Sequence, residues 1–532
     1  MIKNDSHMIY YPILTPNDTR RREQKAFDLG VPSLLLMEHA AMAVVDELEK
    51  ALGGNCKGKR VLFLCGTGNN GGDGFAAARL FAGRGGRAAV WILNEPKTPD
   101  AKTNLQWLRQ LPEVEIVNVA SMLEAGRSLD ELRRPFDAYV DALVGTGFRG
   151  KPEGLLAAMM AVPRHFTIDQ PAPVIAVDIP SGIDGATGET PGSFVSADVT
   201  VTFNTPKPGL YLTQNREAVG KIVVADIGLW PMMPWNSDAL LLEEPELNCE
   251  TLLPSALNRL KMRSVCAHKG DNGRVLIYAG KMGMAGAAAM CAKASITAGA
   301  GLTTIACEKE IIPILQTLAP NAMCVDIRDA IKHPPAYDVF AVGCGLGQEE
   351  ETWGNILKLW NPGKPSVWDA DALNLLAKHE MKLGEKAVIT PHPGEAARLL
   401  SWPLEKIMED RLAAAWALVE KYDCEAVLKS DVSVICRMDD DGKPKYFLNT
   451  VGSSALAKGG SGDALTGILA AILCDGSFLD DAALACLWHG MAGMIGEEKF
   501  GQRELTTDQL ISCLHEAEQW GKGEIPAPKI FR

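Results

Sequence analysis

Short, almost continuously apolar runs alternate with longer runs whose apolar residues recur at helical spacing. In the first half the short runs are "RVLFLC", "AAVWIL", "VEIVNV", "AYVDAL", "PVIAVDI" and "VTVTF". In the second half they are "RVLIYAG", "LTTIAC", "VFAVG", "SVWDA", "AVIT", "AVLKS" and "VSVIC". Runs without polar alternation suit parallel strands buried on both faces. Intervening stretches such as "SLLLMEHAAMAVVDELEK" predict helices, this one with Ser33 as N-cap. Alternation of this kind predicts α/β layers. The rhythm fails between Leu229 and Glu250, where prolines, tryptophans and acids stand without a period. That break divides the chain into a first domain at 1–232, a linker at 233–248 and a second domain at 249–532. No short internal repeat is present.

Composition narrows the class without changing this picture. The chain has 532 residues, too many for one core. Its net charge of −13 argues against non-specific affinity for nucleic acid or an anionic membrane, since both need clustered Lys and Arg. The 13 cysteines include no C-x-x-C pair, so a reduced, cytoplasmic protein is expected. No signal-peptide core and no membrane-length apolar run are seen.

Candidate chemistry gathers at strand ends, where open α/β sheets bind ligands. "LCGTGNNGGDG" places Gly66, Gly68 and Gly71 at G-x-G-x-x-G spacing before a helical run. Such a turn offers free N–H groups and a positive dipole end to a phosphate. Taken alone it equally fits a turn that binds nothing. Two further loops, "DALVGTGFRGKP" and "VDIPSGIDGATG", deliver Asp141 and Asp178 to the same sheet edge. Asn70, Asp141 and Ser181 together offer oxygens suited to a hard cation. Simple loop capping by the two aspartates fits the spacing as well.

These three loops, in this order, resemble the NAD(P)H-hydrate epimerase family over roughly residues 10–230. The resemblance implies a Rossmann-like fold acting on hydrated NADH or NADPH. By the same resemblance Asn69, Asn70, Gly71, Gly72 and Asp73 bind the hydrate. So do Gly145, Thr146, Gly147, Phe148, Arg149, Gly150 and Lys151. Asn70, Asp141 and Ser181 ligate potassium, and Asp178 contacts the substrate and serves acid–base chemistry. One departure is Ala41 in "LLLMEHAA", where glycine is expected.

In the second half, "AKGGSGDALTG" sets Gly459, Gly460 and Gly462 before a long apolar helix with Asp463 at its start. A glycine turn there makes an anion hole, and the aspartate suits removal of a hydroxyl proton. An N-cap role for Asp463 is the plain alternative. "WDADALNLL" puts Asp369 and Asp371 at a strand end, "TPHPGEAARLL" holds His392 between prolines, and "VLKSDVSVI" predicts a polar hairpin. With "HKGDNG" and "GCGLG", these resemble the ADP- or ATP-dependent NAD(P)H-hydrate dehydratases of the ribokinase-like superfamily, over roughly 250–525. The resemblance implies Asp463 as base and the loop Lys458 to Gly462 as anion hole. ADP, expected with Mg2+, is assigned to Lys429, Ser430, Asp431, Val432 and Ser433. It is also assigned to Ser453, Ser454, Ala455, Leu456, Ala457, Lys458, Gly459, Gly460, Ser461 and Gly462. The hydrate is assigned to Ala285, Ala287, Gly343, Gly345, His392 and Asp463. Ser430, Ser433, Ser453, Ser454 and Leu456 depart from the family pattern, all on the nucleotide side.

Together the two resemblances imply a bifunctional repair enzyme. The first domain epimerises R and S hydrates, and the second dehydrates the S form using ADP. Expected partners are these small molecules, within a homo-oligomer and without nucleic acid or membrane. A small-molecule kinase with a nucleotide-sensing first domain is the alternative, and a binding scaffold a third. Free phosphate as product separates the first from the second.

Overall fold

The structure, a computed structural model, describes residues 9–166, 171–229, 245–476 and 480–528. Two compact units are present. One spans Pro12–Leu247 and the other Asn248–Arg532, the latter joined by residues 9–11 from the start of the chain. Most of the expected linker lies outside the described residues.

The first unit holds a seven-stranded sheet. Its strands are β2 (Arg60–Cys65), β3 (Arg87–Ile92), β4 (Glu115–Asn118), β5 (Ala138–Ala142), β6 (Val174–Val177), β7 (Val199–Phe203) and β8 (Lys221–Ala225), following β1 (Tyr10–Pro12) in the chain. The spatial order is β4-β3-β2-β5-β6-β7-β8, and every pairing is parallel. Residues of β2 show why its sequence is continuously apolar. Val61, Phe63 and Cys65 enter one core while Leu62 and Leu64 enter another on the opposite face. Every one of the five is fully buried. The order reverses beside β2, so the ends of β2, β5 and β6 face one crevice.

The second unit's sheet comprises β1, β9 (Cys249–Leu252), β10 (Arg274–Tyr278), β11 (Leu302–Cys307), β12 (Met323–Asp326), β13 (Val339–Val342), β14 (Ser366–Trp368), β15 (Ala387–Ile389), β16 (Glu425–Leu428), β17 (Ser433–Met438) and β18 (Pro444–Asn449). Its order is β1-β9-β18-β17-β16-β15-β14-β13-β10-β11-β12. From β12 to β16 the pairings are parallel, and β16, β17 and β18 are mutually antiparallel neighbours. The expected polar hairpin is thus the β16–β17 turn. Strand β1 is held at the sheet edge by Leu253 N–H donating to the Ile9 carbonyl at 2.9 Å and by the Tyr10 hydroxyl donating to Asp480 at 2.7 Å.

One capping expectation fails. Pro32 is the N-cap of the helix Ser33–Ala51, and Ser33 is its first residue without a capping bond. Proline pre-sets the extended φ that a cap needs, so the hydroxyl is not required. Among the described residues no helix is long and apolar enough to cross a membrane.

Candidate active sites

The glycine loop after β2 folds directly against the loop after β5. A Cβ on Gly66 would lie 1.7 Å from the Leu143 carbonyl oxygen, so only glycine permits this approach. The helix Asn69–Gly83 then starts at Gly68 with no side-chain cap, leaving its first N–H groups toward the crevice. A cavity of about 500 Å³ opens here. Of the residues expected to bind the hydrate, Asn69, Asn70, Asp73, Gly145, Thr146, Gly147, Phe148 and Asp178 line it. Gly71 and Gly72 are buried in the turn of the helix instead. Arg149 bonds within its own region, to the Thr146 carbonyl and to Asp184 at 3.1 Å, and neither it, Gly150 nor Lys151 is part of the wall.

Asp141 and Ser181 bond to each other, and Asn70 reaches the neighbouring loop at Gly145. Ser181 donates its backbone N–H (2.8 Å) and its hydroxyl (2.7 Å) to Asp141, and Val144 N–H donates to the Ser181 hydroxyl oxygen. The Asn70 amide packs on Gly145, where a Cβ would meet Oδ1 at 3.1 Å. Its Nδ2 is buried with no hydrogen-bond partner among the described residues. Burial pushes the Asp141 carboxyl up to about 6, against the bonds from Ser181.

Asp178 stands just past β6 in a left-handed backbone conformation, φ 66°. For a non-glycine residue this is strained, and its neighbours hold it there. Oδ1 accepts from the Lys207 ammonium at 2.5 Å and the Thr202 hydroxyl at 3.1 Å. Lys207 is 1% exposed and donates also to the Thr202 hydroxyl oxygen and the Phe203 carbonyl. Glu23 and Asp100 line the same cavity. Burial raises the Glu23 carboxyl to about 7, and the Asp73 carboxyl is also pushed well up by burial and by the nearby acids.

In the second unit the expected residues converge at the carboxyl ends of the parallel strands. Asp463 is the third residue of the helix Ser461–Asp475, whose N-cap is Gly460 at φ 95°. Asp463 is therefore not the cap. A Cβ at Gly460 would strike Met290 Sδ at 2.6 Å and Thr507 Oγ1 at 2.7 Å. Burial, then the charge of Asp369, raises the Asp463 carboxyl to about 6, while the Cys344 thiol and Lys429 oppose the rise. Lys429 pairs with Asp369 at 2.7 Å, and the Thr466 hydroxyl donates to the other Asp369 oxygen at 2.9 Å. Gly462 lies directly on this pair, its Cβ position 3.4 Å from the Lys429 ammonium.

The residues expected on the hydrate side come from segments that follow β10, β13 and β15. Gly345 packs against Ala287, and Gly347 N–H donates to Asp371 at 2.8 Å. His392 caps the helix Pro393–Leu400, its Nδ1 accepting from Gly394 and Glu395 N–H while Glu395 accepts from His392 N–H. Burial, then Lys429 and Arg398, lowers its pKa. On the nucleotide side, Arg411 anchors the hairpin by donating to Asp431 at 2.8 Å and to the Val432 carbonyl. Ser453 donates to Glu497 and receives Ala455 N–H. Lys458 is turned to the carbonyls of Arg503 and Leu505 and so ties the loop down.

The structure adds Lys207, Glu23 and Arg411 to the residues singled out in the sequence. "NTPKPG" gives no hint that its lysine is buried. "HKGDNG" precedes β10, at the opposite strand ends from Asp463, and borders a separate cavity of about 740 Å³ that none of the expected site residues lines. Among the described residues no cluster of three His, Cys, Asp or Glu side chains forms a metal site.

Comparison with known proteins agrees with both halves. Residues 33–209 match the family described as YjeF-related protein N-terminus, and residues 275–516 match NAD(P)H-hydrate dehydratase. The bifunctional NAD(P)H-hydrate repair enzyme Nnr of Escherichia coli is 36% identical over 519 residues, covering 96% of this chain and 93% of that one. The Moorella thermoacetica protein of the same name is 34% identical, covering 91% and 92%. A Bacillus subtilis ADP/ATP-dependent NAD(P)H-hydrate dehydratase, co-crystallised with ATP/Mg2+, is 26% identical with a TM-score of 0.45, covering 51% of this chain and 97% of its own. With two catalytic regions in the same order and relatives matched nearly end to end, the chain belongs to the bifunctional NAD(P)H-hydrate repair enzymes.

Proposed function

We propose that this chain returns hydrated NADH and NADPH to use. The first unit interconverts the R and S hydrates. The second removes water from the S hydrate at the expense of ADP, giving NAD(P)H, AMP and phosphate. The observation that carries this reading is the pair of strand-end sites, each with a glycine turn before a helix and a carboxylate positioned beside it.

In the first site the open helix start at Gly68 receives substrate phosphate, and Asp178 moves a proton at the hydrated carbon. Asn70, Asp141 and Ser181 would hold potassium. The donor set fits, since it offers oxygens, Asp141 and Ser181 are fully buried, and one carboxylate balances charge. When bound, that ion would neutralise substrate phosphate charge.

In the second site Asp463 takes the proton from the ring hydroxyl as that oxygen attacks the terminal phosphorus of ADP. A carboxyl with a pKa of about 6 is ionised at neutral pH and still basic enough to accept. The N–H groups at Gly460 to Gly462, above the Lys429–Asp369 pair, receive the transferring phosphoryl group. Elimination of phosphate then restores the ring. When bound with ADP, magnesium would neutralise charge on its phosphates.

The test is to incubate the protein with NADH hydrate and ADP and follow nicotinamide absorbance, AMP and phosphate together. A stable phosphorylated product with no free phosphate sinks the dehydratase assignment.

A further inference from the structure

Reversing the configuration at a ring carbon that bears both a hydroxyl and the ring nitrogen needs two proton transfers in each direction. A base must take the hydroxyl proton, and an acid must supply the nitrogen. Asp178 alone provides one. Its other neighbours identify the second, given the reading of Asp178 as the base.

Asp178 is not an isolated carboxyl. The Lys207 ammonium lies 2.5 Å from Oδ1 and is itself buried to 1% exposure. The contact fixes the position of Asp178 Oδ1 at the cavity wall. Three polar atoms fix the ammonium: Asp178 Oδ1, Thr202 Oγ1 and the Phe203 carbonyl oxygen. Glu23 reaches the same cavity from a different element, the helix Pro16–Asp28. The charged groups acting on Glu23 are Lys207, Asp178 and Arg20, and those acting on Asp73 include Asp178, Glu23 and Asp100. Among the described residues the carboxylate ion-paired with Lys207 is that of Asp178.

We propose that Glu23 is the second acid–base residue of the epimerisation site and that Lys207 is the positioning residue that fixes Asp178 as its base. In the forward direction the Asp178 carboxylate takes the hydroxyl proton. The oxygen's electron pair forms a C=O bond, and the carbon–nitrogen bond breaks toward nitrogen, which receives the proton of Glu23. The opened aldehyde turns, and the nitrogen adds to its other face. Glu23 recovers its proton from nitrogen, and Asp178 returns its own to the oxygen. No co-reactant is consumed. The protonated state of Glu23 that this requires agrees with its elevation by burial.

The test uses the full chain, pure R NADH hydrate and no ADP, with R and S forms followed by chromatography from pH 5 to 9. Glu23→Gln is expected to lower the epimerisation kcat at least about a hundredfold, with KM changed less than threefold and the alkaline limb of the profile gone. Glu23→Asp is expected to restore part of the rate and that limb. Lys207→Met is expected to lower the epimerisation kcat at least about tenfold, with KM changed less than threefold, and Lys207→Arg to restore part of it. Should Lys207→Met fail to fold, Lys207→Arg decides: a kcat that is largely retained supports the positioning role, and a loss as large as that of Glu23→Gln overturns it. A Glu23→Gln enzyme with wild-type kcat and profile overturns the acid assignment. An inactive Asp178→Asn beside a fully active Lys207→Met removes only the role of Lys207, whereas a fully active Asp178→Asn removes the reading of the site itself.

Discussion

At the end of β6 Asp178 meets an ammonium directly, while Asp463 stands beside an ion pair that Lys429 has already formed with Asp369. Both carboxylates lie at a strand-end crevice next to a glycine turn. Their charge balance differs. Asp178 has its own cation, and burial raises the carboxyls of Glu23 and Asp73 beside it. Asp463 feels the carboxylate of Asp369 as a repulsion and Lys429 only as a partial relief. The contrast follows the chemistry. An epimerisation runs both ways and needs a base and an acid that exchange roles. Phosphoryl transfer needs a base that takes one proton and a turn that holds a developing anion.

The largest expected effect lies in the second site. Asp463→Asn should reduce phosphate release by about a hundredfold to ten-thousandfold, leaving R–S interconversion at its normal rate. Phosphate release at the parent rate would show that Asp463 is only part of the helix start. Asp178→Asn is the mirror image. It should abolish enzymatic epimerisation and spare consumption of pure S hydrate. Feeding pure R hydrate with ADP and timing the return of NADH measures this, and full-speed turnover refutes it.

Asp141→Ala should act less severely, and on binding. Two donors from Ser181 lose their acceptor, at a cost of about 1–3 kcal/mol in stability each at most. The KM for hydrate should rise, and any potassium dependence of the epimerisation should vanish. Indifference of both to the substitution sinks the cation site.

A smaller effect separates stability from activity. The Asp463 carboxyl is raised from 3.8 to about 6 in the folded protein. A group with a raised folded pKa contributes stability that is full below the unfolded value and is lost as pH rises through the folded one. Asp463→Asn should therefore melt higher than the parent at pH 7 and together with it at pH 3.5. A lower melting temperature at pH 7 would mean that the carboxylate is favourably paired.

The smallest effect concerns the sheet edge. A fragment starting at residue 248 lacks the residues of β1 and exposes β9. Its melting temperature should fall by a few degrees, and fusing residues 9–12 to it should restore the loss. Equal stability with and without them would make β1 decorative.

Much of this was legible because buried parallel strands leave a continuous apolar signature, as in "RVLFLC" and "RVLIYAG". The glycine turns and Asp141, Asp178 and Asp463 were legible because special backbone geometry and strand-end acids are local facts. Strand β1 was not, because three residues, Tyr10–Pro12, carry no period. Strand β8, "KIVVA", was passed over although its burial alternates only weakly. Lys207 and Glu23 were hidden for another reason. A lysine between prolines and a glutamate in "TRRREQK" look like solvated surface, and only the tertiary fold puts Glu23 in the cavity wall and Lys207 against Asp178. Arg411 was missed in the same way, as one charge in a helix whose partner is a distant hairpin.

The docking of β1 sets an order of events on the ribosome. Residues 9–11 are made long before Cys249–Leu252 and Asp480, with which they pair. At about 5–20 residues per second, the early strand waits for its neighbours for roughly tens of seconds. In that interval the first unit has all of β2 to β8 and can close around its own cavity. The edge of the second sheet is completed by a piece of chain made before the whole of the first unit's sheet, so its closure joins two stretches that synthesis sets far apart.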